Sequence, residues 1–212
     1  MASALEPATT LVEGLVATFG EQVRRSLEFE LDGSTTSLAV VDHYLSMARD
    51  EDREPIVSLI AAGAGAYFGE LIRREIGATW VGDGREPRRL RLLVQPQFVH
   101  FSPIDQAYEA IAGAPLSADD PRIAPGPAFD GAFGLEPPRP NQPEEEGDAQ
   151  WLVDRLAELP PVAEDQFHSL TCRFETLQLM LELLATRQAS QGRPAPSLGL
   201  ADYVQVLTRI AS

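Results

Sequence analysis

Between Pro55 and Phe101 the apolar residues change their period once, and that change limits the fold more than any other feature of the chain. Ile56, Ile60, Tyr67 and Leu71 recur at helical spacing through a run of glycines and alanines, which predicts a helix from Pro55 to about Ile76. Pro55 suits a first helical turn, and Gly77 is a natural stop. The period then drops to two. Thr79-Trp80-Val81, Arg89-Leu90-Arg91-Leu92 and Phe98-Val99-His100-Phe101 read as short strands, separated by Asp83-Gly84 and by Gln95-Pro96-Gln97. A helix from Pro103 to about Ala112, started by Ser102, closes the unit.

Two helices are expected before this unit. Val12, Val16, Phe19, Val23 and Leu27 share one face of a helix over 8–28, which Gly14 and Gly20 weaken by about 1 kcal/mol each. Leu38, Val41, Leu45 and Ala48 line a second helix behind the caps Ser34-Thr35-Thr36-Ser37. The fold class is therefore α+β: helix-rich, with an antiparallel sheet of two or three strands packed on helices.

From Gly113 to Asp148 eight prolines, several glycines and Glu144-Glu145-Glu146 predict a linker or long surface loop, partly disordered. Helices return over 149–159, from about 163 to 189, and over 198–210 behind Ser197. The expected organisation is an α+β domain (1–112), a Pro/Gly/acidic linker (113–148) and a helical region (149–212). Ala163, Phe167, Leu170, Phe174, Leu177, Leu181 and Leu184 alternate steps of four and three. This is an a/d seam through which a homodimer is conceivable, although uncharged flanking positions favour a bundle helix covered on two sides.

Charge narrows the partners. With 32 acidic and 17 basic residues, net −15, the chain repels phosphate backbones and anionic lipid. A basic protein partner is expected; nucleic acid and membrane are not. Every basic residue is arginine, so Schiff-base chemistry and a P-loop lysine are excluded. Residues 1–7 lack a basic n-region and an apolar h-region, no apolar run approaches a membrane span, and Cys172 stands alone. These features predict a cytoplasmic protein.

Gly63, Gly65 and Gly69 imitate a dinucleotide fingerprint, with Asp83 as a ribose acceptor. The helical period runs unbroken through the glycines and no further βαβ units follow, so a close-packing stripe of Ala61, Gly65 and Gly69 is the stronger reading. No cofactor is expected. On the same helix Glu70 stands three and four residues before Arg73 and Arg74, which reads first as a solvated ion pair. Tyr67, Glu70, Arg73 and Trp80 would also meet as the lining of a binding pocket, and they are the candidate site.

Arg85, Arg88, Arg89 and Arg91 read as the charges of a protected edge strand, or as a patch for an acidic segment such as 144–146. His43, His100 and His168 are dispersed. His168 and Cys172, four apart, supply two zinc ligands where three or four are needed, and as a nucleophile pair they are weak. No catalytic residue and no metal site are assigned.

Ser37-Leu38-Ala39-Val40-Val41-Asp42-His43-Tyr44-Leu45 and Gly65-Ala66-Tyr67-Phe68-Gly69-Glu70-Leu71-Ile72-Arg73, with Gly77 and Trp80 following, resemble a group of uncharacterised bacterial proteins. There an "SL..vD..L" helix precedes a "GaY.GE..r...G..W" helix-to-strand unit. The resemblance covers residues 30–112. It implies an α+β module and nothing catalytic, and it draws attention to Glu70 and Trp80. The expected function is a non-enzymatic protein-interaction module, an adaptor or immunity-type protein. The alternative is a small-molecule binder or enzyme at Tyr67, Glu70 and Trp80.

Overall fold

Residues 5–136, 147–193 and 198–210 are described by the structure, a computed structural model. They form α1 (Leu5–Leu27), α2 (Ser37–Met47), α3 (Glu54–Ile72), β1 (Ala78–Val81), β2 (Arg91–Val94), β3 (Val99–Phe101) and α4 (Pro103–Ala112). Then come β4 (Gly134–Leu135), α5 (Asp148–Ala157), α6 (Glu164–Phe167), α7 (Leu170–Ser190) and α8 (Leu200–Ile210). The chain is α+β, with a single antiparallel sheet in the order β1-β2-β3-β4. The fourth strand, one more than the sequence predicts, pairs Val99 with Leu135.

Helix α3 is the axis of the fold, buried over almost all of 60–72. Its glycines set the distances to its neighbours. A Cβ on Gly63 would stand 2.7 Å from that of Phe19 on α1, and one on Gly65 would stand 2.6 Å from the Ile104 Cα on α4. One on Gly69 would enter the Trp80 ring. The glycine run is thus a packing surface on three sides, because only a bare Cα admits these approaches. The helix ends in a π turn, Arg73–Gly77, and Gly77 takes a positive φ of 105° before β1.

With the π turn included, Glu54–Gly77 has the length and apolar composition to cross a membrane, contrary to expectation. However, 72% of its apolar window is buried inside the protein, as in a core helix.

The arginine-rich segment also differs from expectation. Pro87–Arg89 is a 3-10 turn, and β2 begins only at Arg91. Leu92, Leu93 and Val94 are all buried, and β2 lies between β1 and β3, so it is no edge strand. Arg88 turns inward, whereas Arg89 stays exposed, 3.7 Å from Asp83. Residues 144–146 lie outside the described residues.

Over 113–136, within the segment expected as a linker or long surface loop, the chain packs on the core and supplies β4. Ile123 is buried, Phe133 lies edge-on to Phe101 at 4.9 Å, and Gln106 Nε2 donates to Gly131 O at 3.0 Å. One hydrophobic cluster runs from Val12 on α1 to Leu184 on α7, so the C-terminal helices share the core. The expected 163–189 helix is broken at His168 and Ser169, where Ser169 Oγ accepts from Cys172 N–H at 3.1 Å and starts α7. Its seam faces inward: Leu170, Phe174, Leu177 and Leu184 are buried within this chain. Ala163 is exposed, and Phe167 is 50% exposed. From Leu170 on, the buried part of the seam packs into the chain's own core.

Asp42 ties α2 to α7. Its carboxylate accepts from Leu170 N–H (2.7 Å), Thr171 N–H (3.0 Å) and Thr171 Oγ1 (2.6 Å), a side-chain anion at a helix N-terminus. Helix α8 docks on the sheet through Tyr203, stacked on Phe98 at 4.2 Å, with its hydroxyl among Val94 O, Gln97 O and Val99 N–H. Ser197, the expected cap of α8, lies outside the described residues.

Candidate functional site

The four residues singled out in the sequence go to different environments. Tyr67 is buried; its hydroxyl meets Ser37 Oγ and accepts from Gly33 N–H at 3.0 Å, which closes the α1–α2 loop onto α3. Burial pushes its phenol above the usual range. Glu70 and Arg73 form a forked pair on the surface, with Arg73 Nη2 donating to Oε1 at 2.7 Å. Trp80 is buried against Gly69, and its Nε1 has no acceptor among the described residues. The fold thus joins Glu70 to Arg73 and turns Tyr67 towards α2.

Polar chemistry concentrates instead on α4, all of which except Ala112 is buried. The Asp105 carboxylate meets Arg88 Nε at 3.2 Å and accepts from Asp130 N–H at 3.0 Å. Arg88 also donates to Ala124 O (2.6 Å) and Pro127 O (2.9 Å). Burial raises the Asp105 pKa above the ordinary carboxylate range, and these contacts pull it back. One turn on, Glu109 accepts from Arg173 Nη2 at 2.6 Å, with His168 Nδ1 3.7 Å from the same oxygen. The helix break sends the His168 ring to this pair, while Cys172 Sγ has Thr176 Oγ1 at 4.0 Å. Among the described residues no three His, Cys, Asp or Glu side chains group as a metal site.

This cluster has a pH signature. Burial, then the Arg173 charge, lower the His168 pKa, with Glu109 acting in the opposite sense. The folded state therefore binds that proton less readily than the unfolded chain, and stability falls as pH drops through about 6.5. Urea unfolding from pH 7.5 to 5.5 should show a steeper loss in the wild type than in His168→Gln. Equal slopes would disprove the assignment. His100, also lowered by burial, contributes to both proteins equally.

Two open concavities lie where α3 meets α1 and α2. A hollow of about 300 Å³ opens along the contact of α1 with α3, lined by Thr10, Gly14, Thr18, Phe19, Gln22 and Leu59 among others. A second, about 240 Å³, adjoins it where Ser26 faces Ile56 and Ile60, with Tyr44, Met47 and Glu51 from α2 and the turn that follows it. Leu59 (47% exposed) and Met47 (59%) stand on their rims. Sequence reading missed this face because it treats Gly14 and Gly20 only as helix weakeners. The signal was the four-residue spacing of Thr10, Gly14 and Thr18 on the side away from the core.

No family model, curated protein or solved structure matches the chain.

Proposed function

We propose that the chain is a cytoplasmic protein-interaction module without catalytic activity, an adaptor or immunity-type protein, and that α1, α2 and α3 present its contact face. The observation that carries this reading is the pair of adjoining hollows with exposed Leu59 and Met47 at their rims. Concave apolar surface with exposed side chains at its rim fits a contact face. The ionisable groups support it from the other side. Asp42, Arg88, Asp105, Glu109 and Arg173 bond to other parts of the fold, where they stabilise it rather than await substrate.

The test is a photo-crosslinking residue at Leu59 in the full-length chain, expressed in its own cells. A discrete protein adduct is expected at Leu59 and not at Val153, which is more exposed still. A specifically retained small molecule with no protein adduct would overturn the reading. The rival is a ligand site at Tyr67, Glu70, Arg73 and Trp80, and the unpaired Trp80 Nε1 favours it. Glu70→Ala should then abolish ligand-induced thermal stabilisation. Unchanged stabilisation removes the rival.

A further inference from the structure

We propose that the exposed run 159–163, between α5 and α6, is a polyproline II ligand for an aromatic-lined, basic-rimmed groove on a second protein. This contact is separate from the α1–α3 face. Residue type sets the backbone. Pro160 and Pro161 hold φ near about −65°, and Leu159 and Pro160, each followed by a proline, are turned out of the helical region. Both prolyl bonds are trans, and Ala163 closes the run at φ −58° and ψ 137°, close to the polyproline II values. At three residues per turn, Leu159 and Val162 fall on one edge. Every residue from 157 to 163 is exposed, with Leu159 and Val162 at 47% each. The run is held at both ends: Leu152 on α5 is buried before it, and His168 and Leu170 are buried after it. A run fixed in this way loses little entropy on binding.

The same backbone decides what can cover it. Pro160 and Pro161 have no N–H, so a partner cannot pair with the run as a β-strand. Pro160, Pro161 and Val162 make no backbone hydrogen bond among the described residues. Their carbonyls therefore stand free beside two proline rings and two exposed aliphatic side chains. Tryptophan and tyrosine answer both needs, since a flat ring packs on proline while its N–H or O–H donates to a carbonyl. Charge completes the partner. Asp154 and Glu158 precede the run and Glu164 and Asp165 follow it in sequence, against Arg155, which pairs with Glu158 at 2.9 Å. A rim of arginine or lysine complements that surplus. A second copy of this chain fails on both counts, because it carries −15 and none of its tryptophans and tyrosines is exposed. An anionic bilayer is repelled by the same acidic flanks.

In the test, a photo-crosslinking residue replaces Ala163 in the full-length chain, which leaves Leu159, both prolines and Val162 intact. The protein is expressed in its own cells, and the partner residue captured is mapped by mass spectrometry. The expected result is a protein adduct whose captured segment carries tryptophan or tyrosine with arginine or lysine close by. Pro160→Ala with Pro161→Ala, and separately Glu164→Lys with Asp165→Lys, should each lower its yield roughly tenfold. The Leu59 adduct should be unchanged in both double variants, because that face is separate. An Ala163 adduct indifferent to the prolines overturns the polyproline reading, and one indifferent to the acidic flanks overturns the basic rim. Capture of a second copy, of lipid, or of a surface without aromatic residues overturns the partner, and no adduct at Ala163 overturns the inference as a whole. The two crosslinking positions report independently. An adduct at Ala163 with none at Leu59 upholds this inference and defeats the α1–α3 face, whereas an adduct at Leu59 alone defeats this inference and leaves that face standing.

Discussion

Arg88→Met should lower the unfolding free energy by about 3–5 kcal/mol, read from urea denaturation at neutral pH, because it leaves a buried carboxylate without its cation. The Arg88 side chain is 4% exposed and that of Asp105 0%. The substitution also strips the donors from Ala124 O and Pro127 O, so the damage extends into the 113–136 loop. Amide exchange over Ile123–Gly131 should accelerate more than exchange in α3. The double variant Arg88→Met, Asp105→Leu should regain part of the loss, since an apolar pair of similar volume has no charge to desolvate. A single variant within 1 kcal/mol of the wild type would mean that the pair is not buried as the structure places it.

Arg88 also marks where the sequence stops being legible. Helix starts and the change of period at Gly77 could be read locally, because proline, glycine and serine act through their own backbone and side-chain geometry. Ser102 is the clearest instance: its Oγ accepts from Asp105 N–H at 3.1 Å and opens α4 as expected. The glycine stripe was legible for the same reason, since an unbroken helical period through Gly63, Gly65 and Gly69 leaves packing as their use. The fate of the arginines was not. Nothing in Pro87-Arg88-Arg89 shows which guanidinium turns inward, because the answer lies in Asp105, Ala124 and Pro127, far along the chain. The break at His168 was hidden in the same way by an apolar spacing that continues across it, while Asp42 and Ser169 start a new helix there. The candidate site was read from spacing along α3. The Tyr67 hydroxyl was drawn to Ser37 by a loop closure that α3 alone does not encode.

Gly65→Val should cost about 3 kcal/mol or more, towards the upper end of what overpacking a core does. Space and rigidity decide the size. At Gly65 the added Cβ would stand 2.6 Å from both the Ile104 Cα and Pro103 O, which are backbone atoms at the start of α4. They cannot rotate aside, so α4 must move as a body, taking Asp105 and Glu109 out of reach of Arg88 and Arg173. At Gly63 the first obstacle is the Phe19 Cβ, at 2.7 Å, which no rotamer change moves, so Gly63→Ala also pushes α1 from α3, but by one methyl group rather than a branched side chain, and should be milder. At Gly14 the space is empty, and Gly14→Ala should stabilise α1 by about 0.5–1 kcal/mol. Gly14→Ala and Gly63→Ala share one chemical change and differ only in what the new methyl group meets, whereas Gly65→Val drives a branched side chain against backbone. Thermal and urea unfolding should therefore rank Gly14→Ala above the wild type, then Gly63→Ala, then Gly65→Val. A Gly65→Val protein as stable as the wild type would mean that α3 and α4 do not approach through bare backbone.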